Sequence, residues 1–439
     1  MTKILLAYSG GLDTSYLVAW LTRERGCEVT ALTVDCGGYS PGEKQTIADR
    51  ARALGAVEHK FVDARVELFE RVLRHLIAAH VRRGGVYPLS VGAERGLQAE
   101  VLAREARRGG FKIVVHGCTA AGNDQVRFEA ALATIAPELE VWAPVRDERL
   151  SREAERAWLA ERSLPVPPAG GRYSVNAGLW GLTIGGGELH DSSKPLPEDC
   201  WQWTRNGAGE RRLELRFEKG IPVELDGAPI LPVDLIEILN REAGALGVGR
   251  GYHLGDTVIG IKGRIAFEAP AASILLDAHR ELEKLVLTED QRFWKDHLGD
   301  VYGRRLHQGL FHDPFQRDLE AFFTSSQARV SGTAALKLAN GAILVEGVSS
   351  PFSLMAASDA KYGEMVGTGM TPGGALGLAH ALARPARLHR RAGEMAAKKA
   401  ALASVASGNM ALGNVASSSV PAVKVVPAVK VVPAVEVES

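Results

Sequence analysis

The sequence predicts an α/β protein: a doubly wound, mainly parallel sheet followed by a second, α+β domain. Three observations carry this. Short apolar runs alternate with longer helical segments over the first 150 residues, the pattern of βαβ units. A polar loop with two glycines, Ser9–Ser15, leaves the first strand and opens the first helix. The stretch Leu164–Gly171 (L-P-V-P-P-A-G-G) then breaks the alternation and reads as a linker.

In order, Lys3–Ala7 is a strand, Thr14–Arg25 a helix stopped by Gly26, and Glu28–Asp35 a β-branched strand ended by C-G-G-Y-S-P-G-E. Glu43–Leu54 is helical, His59–Val62 a strand, Val66–Val81 and Gly92–Arg108 helices, and Lys112–Val115 a buried strand running into His116-Gly117. Past the linker, Arg212–Glu218 and Pro222–Leu225 form a hairpin around Lys219-Gly220, with a further turn at Asp226-Gly227. Asp234–Gly244 reads as a capped helix, Thr257–Lys262 and Ala342–Glu346 as strands, and Ser273–Val286 as a helix. G-V-G-R-G at Gly247–Gly251 is a helix end and turn rather than a second phosphate loop. Trp180, Trp201 and Trp203 are packing residues. The expected division is 1–165, 170–375, a helical segment over 376–416, and a tail over 417–439. That tail repeats V-P-A-V-K-V, and proline in each unit opposes both helix and central strand.

Composition excludes several classes. Lys+Arg and Asp+Glu are both 52, so the net charge is zero, and bulk nucleic-acid binding is disfavoured. The four cysteines lie far apart with no C-x-x-C, which indicates neither a thiolate zinc site nor a disulfide framework. The twelve histidines show no H-E-x-x-H spacing, so no protein-held catalytic metal is expected. No apolar run approaches the roughly 20 residues that cross a bilayer. The first apolar run is too short for a signal peptide. A cytoplasmic protein without a membrane partner is expected.

Two loops carry the chemistry. In Ser9-Gly10-Gly11-Leu12-Asp13-Thr14-Ser15 the glycines let the backbone turn its N–H groups to one point. The helix N-terminus adds positive charge, and the hydroxyls of Ser9, Thr14 and Ser15 add donors, making a phosphate cradle. It is neither G-x-x-x-x-G-K-[ST] nor G-x-G-x-x-G. The second loop, His116 to Glu129 (H-G-C-T-A-A-G-N-D-Q-V-R-F-E), leaves a strand and enters a helix. Thr119, Asn123, Asp124 and Arg127 converge above the sheet, a mixture suited to amino-acid carboxylates and ammonium groups. In a doubly wound sheet both loops lie at the ligand-binding edge.

The first string resembles the pyrophosphatase loop, S-G-G-x-D-[ST], of enzymes that cleave ATP between the α and β phosphates. H-G-x-T-x-x-G-N-D-Q-V-R-F-E resembles the signature of the argininosuccinate synthase family. Tyr87-Pro88-Leu89-Ser90 with Arg95, Tyr173–Asn176 with Leu179-Trp180-Gly181, Gly247–Arg250 and Gly260–Arg264 match it in order. The similarity covers roughly residues 3 to 370 and is closest to a divergent bacterial branch. It implies a nucleotide-binding domain followed by a synthetase and multimerisation domain. It also implies ATP-dependent ligation of citrulline and aspartate through a citrulline adenylate, with ATP and Mg2+ and no other cofactor, in a homotetramer.

Carried over, Ala7, Tyr8, Ser9, Gly10, Gly11, Leu12, Asp13, Thr14, Ser15, Val34 and Gly117 contact ATP. Thr119, Asn123 and Asp124 hold aspartate, and Tyr87, Asn123, Arg127, Ser174 and Thr183 hold citrulline. Asp13, Asp124 and Arg127 are the catalytic candidates, Asp13 organising the magnesium or the loop itself. Gly255 and Phe267 stand where animal enzymes carry a glutamate and a tyrosine against citrulline, and Gly92 where they carry a serine. Asp256 and Glu268 are the acids available to replace that glutamate. An RNA-modifying adenylating enzyme and a nucleotide-binding module without chemistry share the first loop. Zero net charge, the lack of a C-x-x-C pair and of an RNA-binding module count against the first, and the second polar loop counts against the other.

Overall fold

The computed structural model describes residues 1–168, 171–204, 207, 209–365 and 367–408. The N-terminal part runs β1 (Lys3–Ala7), α1 (Leu12–Arg23), β2 (Glu28–Asp35), α2 (Pro41–Ala53) and β3 (Glu58–Asp63). It continues with α3 (Arg65–Leu68), α4 (Arg74–Ala78), α5 (Arg95–Gly109), β4 (Ile113–Val115), α6 (Asp124–Ile135), β5 (Glu140–Trp142), α7 (Pro144–Asp147) and α8 (Arg152–Glu161). A π-helical turn over Phe69–Leu73 joins α3 to α4, so the expected single helix is present but underwound at its centre.

These strands form one parallel sheet in the order β3-β2-β1-β4-β5. Alternation along β1 explains the two layers of helices. Ile4 and Leu6 pack with Leu17, Leu21 and Leu159, whereas Leu5 faces Leu102, Phe128 and Leu132 on the other side. The strand order reverses between β1 and β4, so the loops leaving these two strands open onto the same crevice.

The second part contains β6 (Tyr173–Gly178), β7 (Gly181–Gly186), β8 (Glu210–Glu218), β9 (Ile221–Leu225), β10 (Ala228–Pro229), α9 (Pro232–Gly244), β11 (Arg250–Asp256) and β12 (Lys262–Glu268). After them come α10 (Pro270–Val286), α11 (Glu289–His307), α12 (Pro314–Ser326), β13 (Gly332–Ala339) and β14 (Ala342–Ser349). Two antiparallel sheets result, β10-β9-β8-β13-β14 and β11-β12-β7-β6. Residues 1–357 make one compact unit, and its largest core joins Leu76 and Ile77 of α4 to Leu275 and Leu282 of α10 and Phe217 of β8. Trp180 is fully buried and donates its indole N–H to the Pro88 carbonyl at 3.0 Å, as a packing residue should.

Two local expectations are corrected. Of the strand expected at Thr257–Lys262 only Lys262 lies in one, as the first residue of β12; 257–261 are the turn between β11 and β12, closed by Thr257 N–H to the Ile261 carbonyl at 2.8 Å with Gly260 at φ +85°. Its β-branched residues mislead because Ile259 and Ile261 are exposed, so the apolar pattern reports no core face. The helix expected to be capped at Asp234 begins two residues earlier, with Pro232 in the first turn and no side-chain cap.

Beneath α10 lies a buried polar ring that the sequence does not announce. Lys295 Nζ sits 3.1 Å from His80 Nδ1 and 2.6 Å from Glu283 Oε2. His80 Nε2 meets His279 Nδ1 at 2.9 Å, His279 Nε2 meets Gln327 Oε1 at 2.8 Å, and Gln327 Nε2 donates to Glu283 Oε1 at 2.7 Å. One assignment satisfies every link: both imidazoles neutral, each protonated on Nε2. His80, His279 and Glu283 are close enough to share a metal ion, but the Lys295 ammonium already supplies the positive charge at that point.

Residues 358–408 belong to a separate unit containing the helix α13 (Pro372–Gly408), which covers 376–408 of the segment expected to be helical; 409–416 lie outside the described residues. The V-P-A-V repeats lie outside the described residues. Among the described residues no helix is long and apolar enough to cross a membrane.

Candidate active site

The phosphate loop is built by close packing at two glycines. Gly10 adopts φ +75°, and a Cβ there would fall 2.7 Å from Ile47 Cγ1, so any larger residue is strained. Ser9 Oγ accepts the Gly11 N–H at 3.3 Å and lies 3.3 Å from Thr14 Oγ1, while Thr14 Oγ1 reaches the Gly11 carbonyl at 3.4 Å. α1 starts without a side-chain cap, so its first N–H groups point into the crevice where an anion can take them. Gly117, at the end of β4, closes the opposite side: a Cβ there would stand 3.0 Å from Thr14 Cγ2. Val34 lies half-buried at the end of β2, beside Asp35, whose carboxylate is held by Lys44 at 2.6 Å and by the Gly37 N–H at 2.8 Å.

Asp13 has a neighbour that the motif does not reveal. α8 packs along α1 and brings Glu155, 1% exposed, against the Asp13 carboxylate. Burial, then the Asp13 charge and a hydrogen bond shared with Asp13, push the Glu155 carboxyl up to about 8. The signal in S-R-E-A-E is only an acid on the buried side of a helix.

Two polar groups of the second loop hold each other. Asp124 opens α6 and lies between two guanidiniums: Arg95 Nε is 3.0 Å from Oδ2 and Arg127 Nη1 is 2.7 Å from Oδ1. Burial opposes the charge on Asp124, but Arg95 and then Arg127 outweigh it and hold the carboxyl at about 2. Arg127 is nearly buried. Its Nε donates to the His307 carbonyl at 2.9 Å, and its Nη2 meets His307 Nδ1 at 2.8 Å. Burial, then the Arg127 charge, lowers His307 to about 3, so its ring is neutral and accepts from Arg127. His307 is 180 residues away in sequence, and no local pattern points to it. Asn123 Oδ1 accepts the Val258 N–H at 2.8 Å, which ties the loop to the β11–β12 turn. Thr119 sits in the same loop, its carbonyl accepting the Gly122 N–H at 3.3 Å.

The third wall is one face of the β11-β12-β7-β6 sheet. The registers Asn176↔Thr183, Thr183↔Phe267 and Phe267↔Gly251 place Ser174, Thr183, Phe267, His253 and Gly255 on the same side. Leu182, Ile184 and Ala266 point the other way into a core. Tyr87 joins this face, stacked on His253 at 5.4 Å and tilted against Phe267 at 5.3 Å. A Cβ on Gly92 would stand 3.2 Å from Arg127 Nη2, so the glycine leaves room beside that guanidinium. Neither acid proposed to replace the missing glutamate serves here. Glu268 is fully buried and takes the N–H groups of Gln202 and Trp203, each at 2.8 Å, and the Thr204 hydroxyl at 2.6 Å. Asp256 is exposed and paired with Lys262 at 2.5 Å.

Three walls therefore surround one crevice: a glycine loop opening α1, an arginine-clamped carboxylate loop and a sheet face carrying hydroxyls and aromatics. A cleft of about 880 Å³ near Arg216 and Lys219 contains none of these residues and is a separate surface feature.

The model described as the arginosuccinate synthase N-terminal HUP domain matches residues 3–165, and that of the arginosuccinate synthase C-terminal domain matches residues 173–384. Argininosuccinate synthase of Dictyoglomus turgidum is 40% identical over 363 residues, covering 82% of this chain and 91% of the relative. That of Methanocaldococcus jannaschii is 38% identical over 354 residues, covering 80% and 89%. That of Metallosphaera sedula is 38% identical over 352 residues, covering 80% and 90%. With its glycine cradle, its Asp124 clamp and both family models in register along it, the chain belongs to the argininosuccinate synthase family.

Proposed function

We propose that this protein joins citrulline to aspartate at the expense of ATP, giving argininosuccinate, AMP and pyrophosphate. The observation that supports it most is the facing of the β1 and β4 loops across the strand-order reversal, a phosphate cradle opposite the Arg95–Asp124–Arg127 clamp. In this reading Ala7–Ser15, Val34 and Gly117 seat ATP. Thr119, Asn123 and Asp124 seat aspartate, and Tyr87, Asn123, Arg127, Ser174 and Thr183 seat citrulline. Residues 1–165 are the nucleotide half and 170–375 the synthetase half.

The ureido oxygen of citrulline attacks the α phosphate and pyrophosphate leaves. The aspartate amine then attacks the activated ureido carbon and AMP departs. The protein contributes position and fixed charge. The N-terminal N–H groups of α1 and the Ser9 and Thr14 hydroxyls take phosphate oxygens, and Arg127, locked by His307, fixes the citrulline end. Asp124, ionised by its two arginines, is suited to the aspartate ammonium.

Magnesium fits beside Asp13, where the buried Glu155 carboxyl brings a second acid against it. When bound it would neutralise charge on the phosphates. Assembly as a homotetramer through α13, in the cytoplasm, completes the reading. Exposed Leu376, Leu382, Leu388, Met395 and Leu402 on α13 suit contact with further copies.

The test is pyrophosphate release from ATP by the purified protein with and without citrulline. Release that requires citrulline, with argininosuccinate formed once aspartate is added, is expected. Citrulline-independent release, or none, would overturn the proposal.

A further inference from the structure

His253 is the one imidazole on the sheet face that bounds the proposed citrulline seat among the described residues. Strand alternation puts it on the same side of β11 as Gly251 and Gly255, and its ring stacks on Tyr87 with planes 25° apart. It is 8% exposed, and its Nε2 has no hydrogen-bond partner. A buried ring nitrogen left unpaired is costly, which marks it as a group awaiting a ligand.

Two glycines make room for this ring. A Cβ at Gly255 would fall 2.5 Å from His253 Nε2, and one at Gly84 would stand 3.3 Å from Nδ1. The imidazole nitrogen therefore occupies the point from which a side chain at position 255 would start. A larger residue at 255 would have to displace the His253 ring from this position. Glu268 and Asp256, the two nearby acids, are committed elsewhere. Burial, with the charge of Arg83 added, lowers the His253 pKa, so the ring is neutral at pH 7.

We propose that His253 is a specificity-determining residue of the amino-acid pocket, its Nε2 hydrogen-bonding the head group of the bound citrulline in place of an acid at position 255. This rests on the citrulline reading above.

The test is a steady-state comparison of wild type with His253→Phe, which keeps the ring volume and the stack on Tyr87 but removes the nitrogen. The KM for citrulline should rise roughly tenfold to hundredfold, the range expected for one lost hydrogen bond to a ligand. The KM for ATP should not move. A second variant, His253→Ala with Gly255→Glu, exchanges the imidazole for an acid in the space the ring vacates and should recover citrulline affinity, whereas His253→Ala alone should not. An unchanged citrulline KM in His253→Phe, or an equal rise for ATP, would overturn the assignment. So would failure of the paired exchange to outperform His253→Ala, the reading that applies if His253→Phe does not fold. If wild type itself needs no citrulline to release pyrophosphate, the functional reading fails instead, and the two failures are thereby told apart.

Discussion

Asp124 and Arg127, one turn apart at the start of α6, are paired at 2.7 Å, and Arg95 of α5 grips the other oxygen of the same carboxylate at 3.0 Å. The clamp fixes the angle of both side chains before any ligand arrives. Arg127→Ala should lower kcat/KM by about 30- to several-thousand-fold, corresponding to roughly 2–5 kcal/mol for a truncated, buried charge pair. Arg127→Lys should not rescue it, because one ammonium cannot reach Asp124, the His307 carbonyl and the His307 ring together. Steady-state kinetics on soluble variants decide this.

The phosphate loop should be equally intolerant. Gly10→Val clashes with Ile47 at a positive φ, and Gly117→Val drives a side chain into Thr14. Both should abolish pyrophosphate release. Asp13→Ala should do so without unfolding the chain, since Asp13 is only partly buried. Circular dichroism alongside the assay separates the two effects, and near-normal turnover by any soluble variant would remove the loop from the mechanism.

The buried ring makes stability depend on pH. His279 is lowered to about 3 by burial and then by the Lys295 charge, and His80 is also held far below its ordinary value. In the unfolded chain both take up protons near pH 6.5. The unfolded state thus binds more protons below that value, and stability drains as pH falls from about 6.5 toward 3, by up to ~1.4 kcal/mol per histidine per pH unit. Urea denaturation at pH 7.5 and 5.5 should show the loss. Lys295→Met should cost about 3–5 kcal/mol by stranding Glu283, and Glu283→Gln in the same chain should return much of it.

Assembly gives a further check. Light scattering at micromolar concentration should report a tetramer, and removing residues 417–439 should leave mass and activity unchanged. A monomer, or activity lost with the repeats, would contradict the proposed role of α13.

How much was legible depended on the range of the interactions. β1, β2 and the loops at Ser9 and His116 could be read because their signals are local: apolar runs, glycine turns and helix starts set by neighbours in sequence. The β11–β12 turn misleads because Val258, Ile259 and Ile261 look like a strand, and the exposure of Ile259 and Ile261 is a tertiary fact. Glu155, His307 and His253 acquire their roles from partners 142, 180 and 166 residues away (Asp13, Arg127 and Tyr87), and no window of sequence contains both members of such a pair. Glu268 shows the opposite error: a plausible ligand by position, but consumed by the backbone of Gln202 and Trp203.

The central claim is that citrulline is activated through its ureido oxygen at a phosphate cradle formed by Ser9–Ser15. Citrulline carrying heavy oxygen at the ureido position tests it most directly. One labelled AMP per argininosuccinate formed is the predicted result, because the oxygen that attacks the α phosphate must leave with AMP. Label in inorganic phosphate, or unlabelled AMP from a turning-over enzyme, would contradict it.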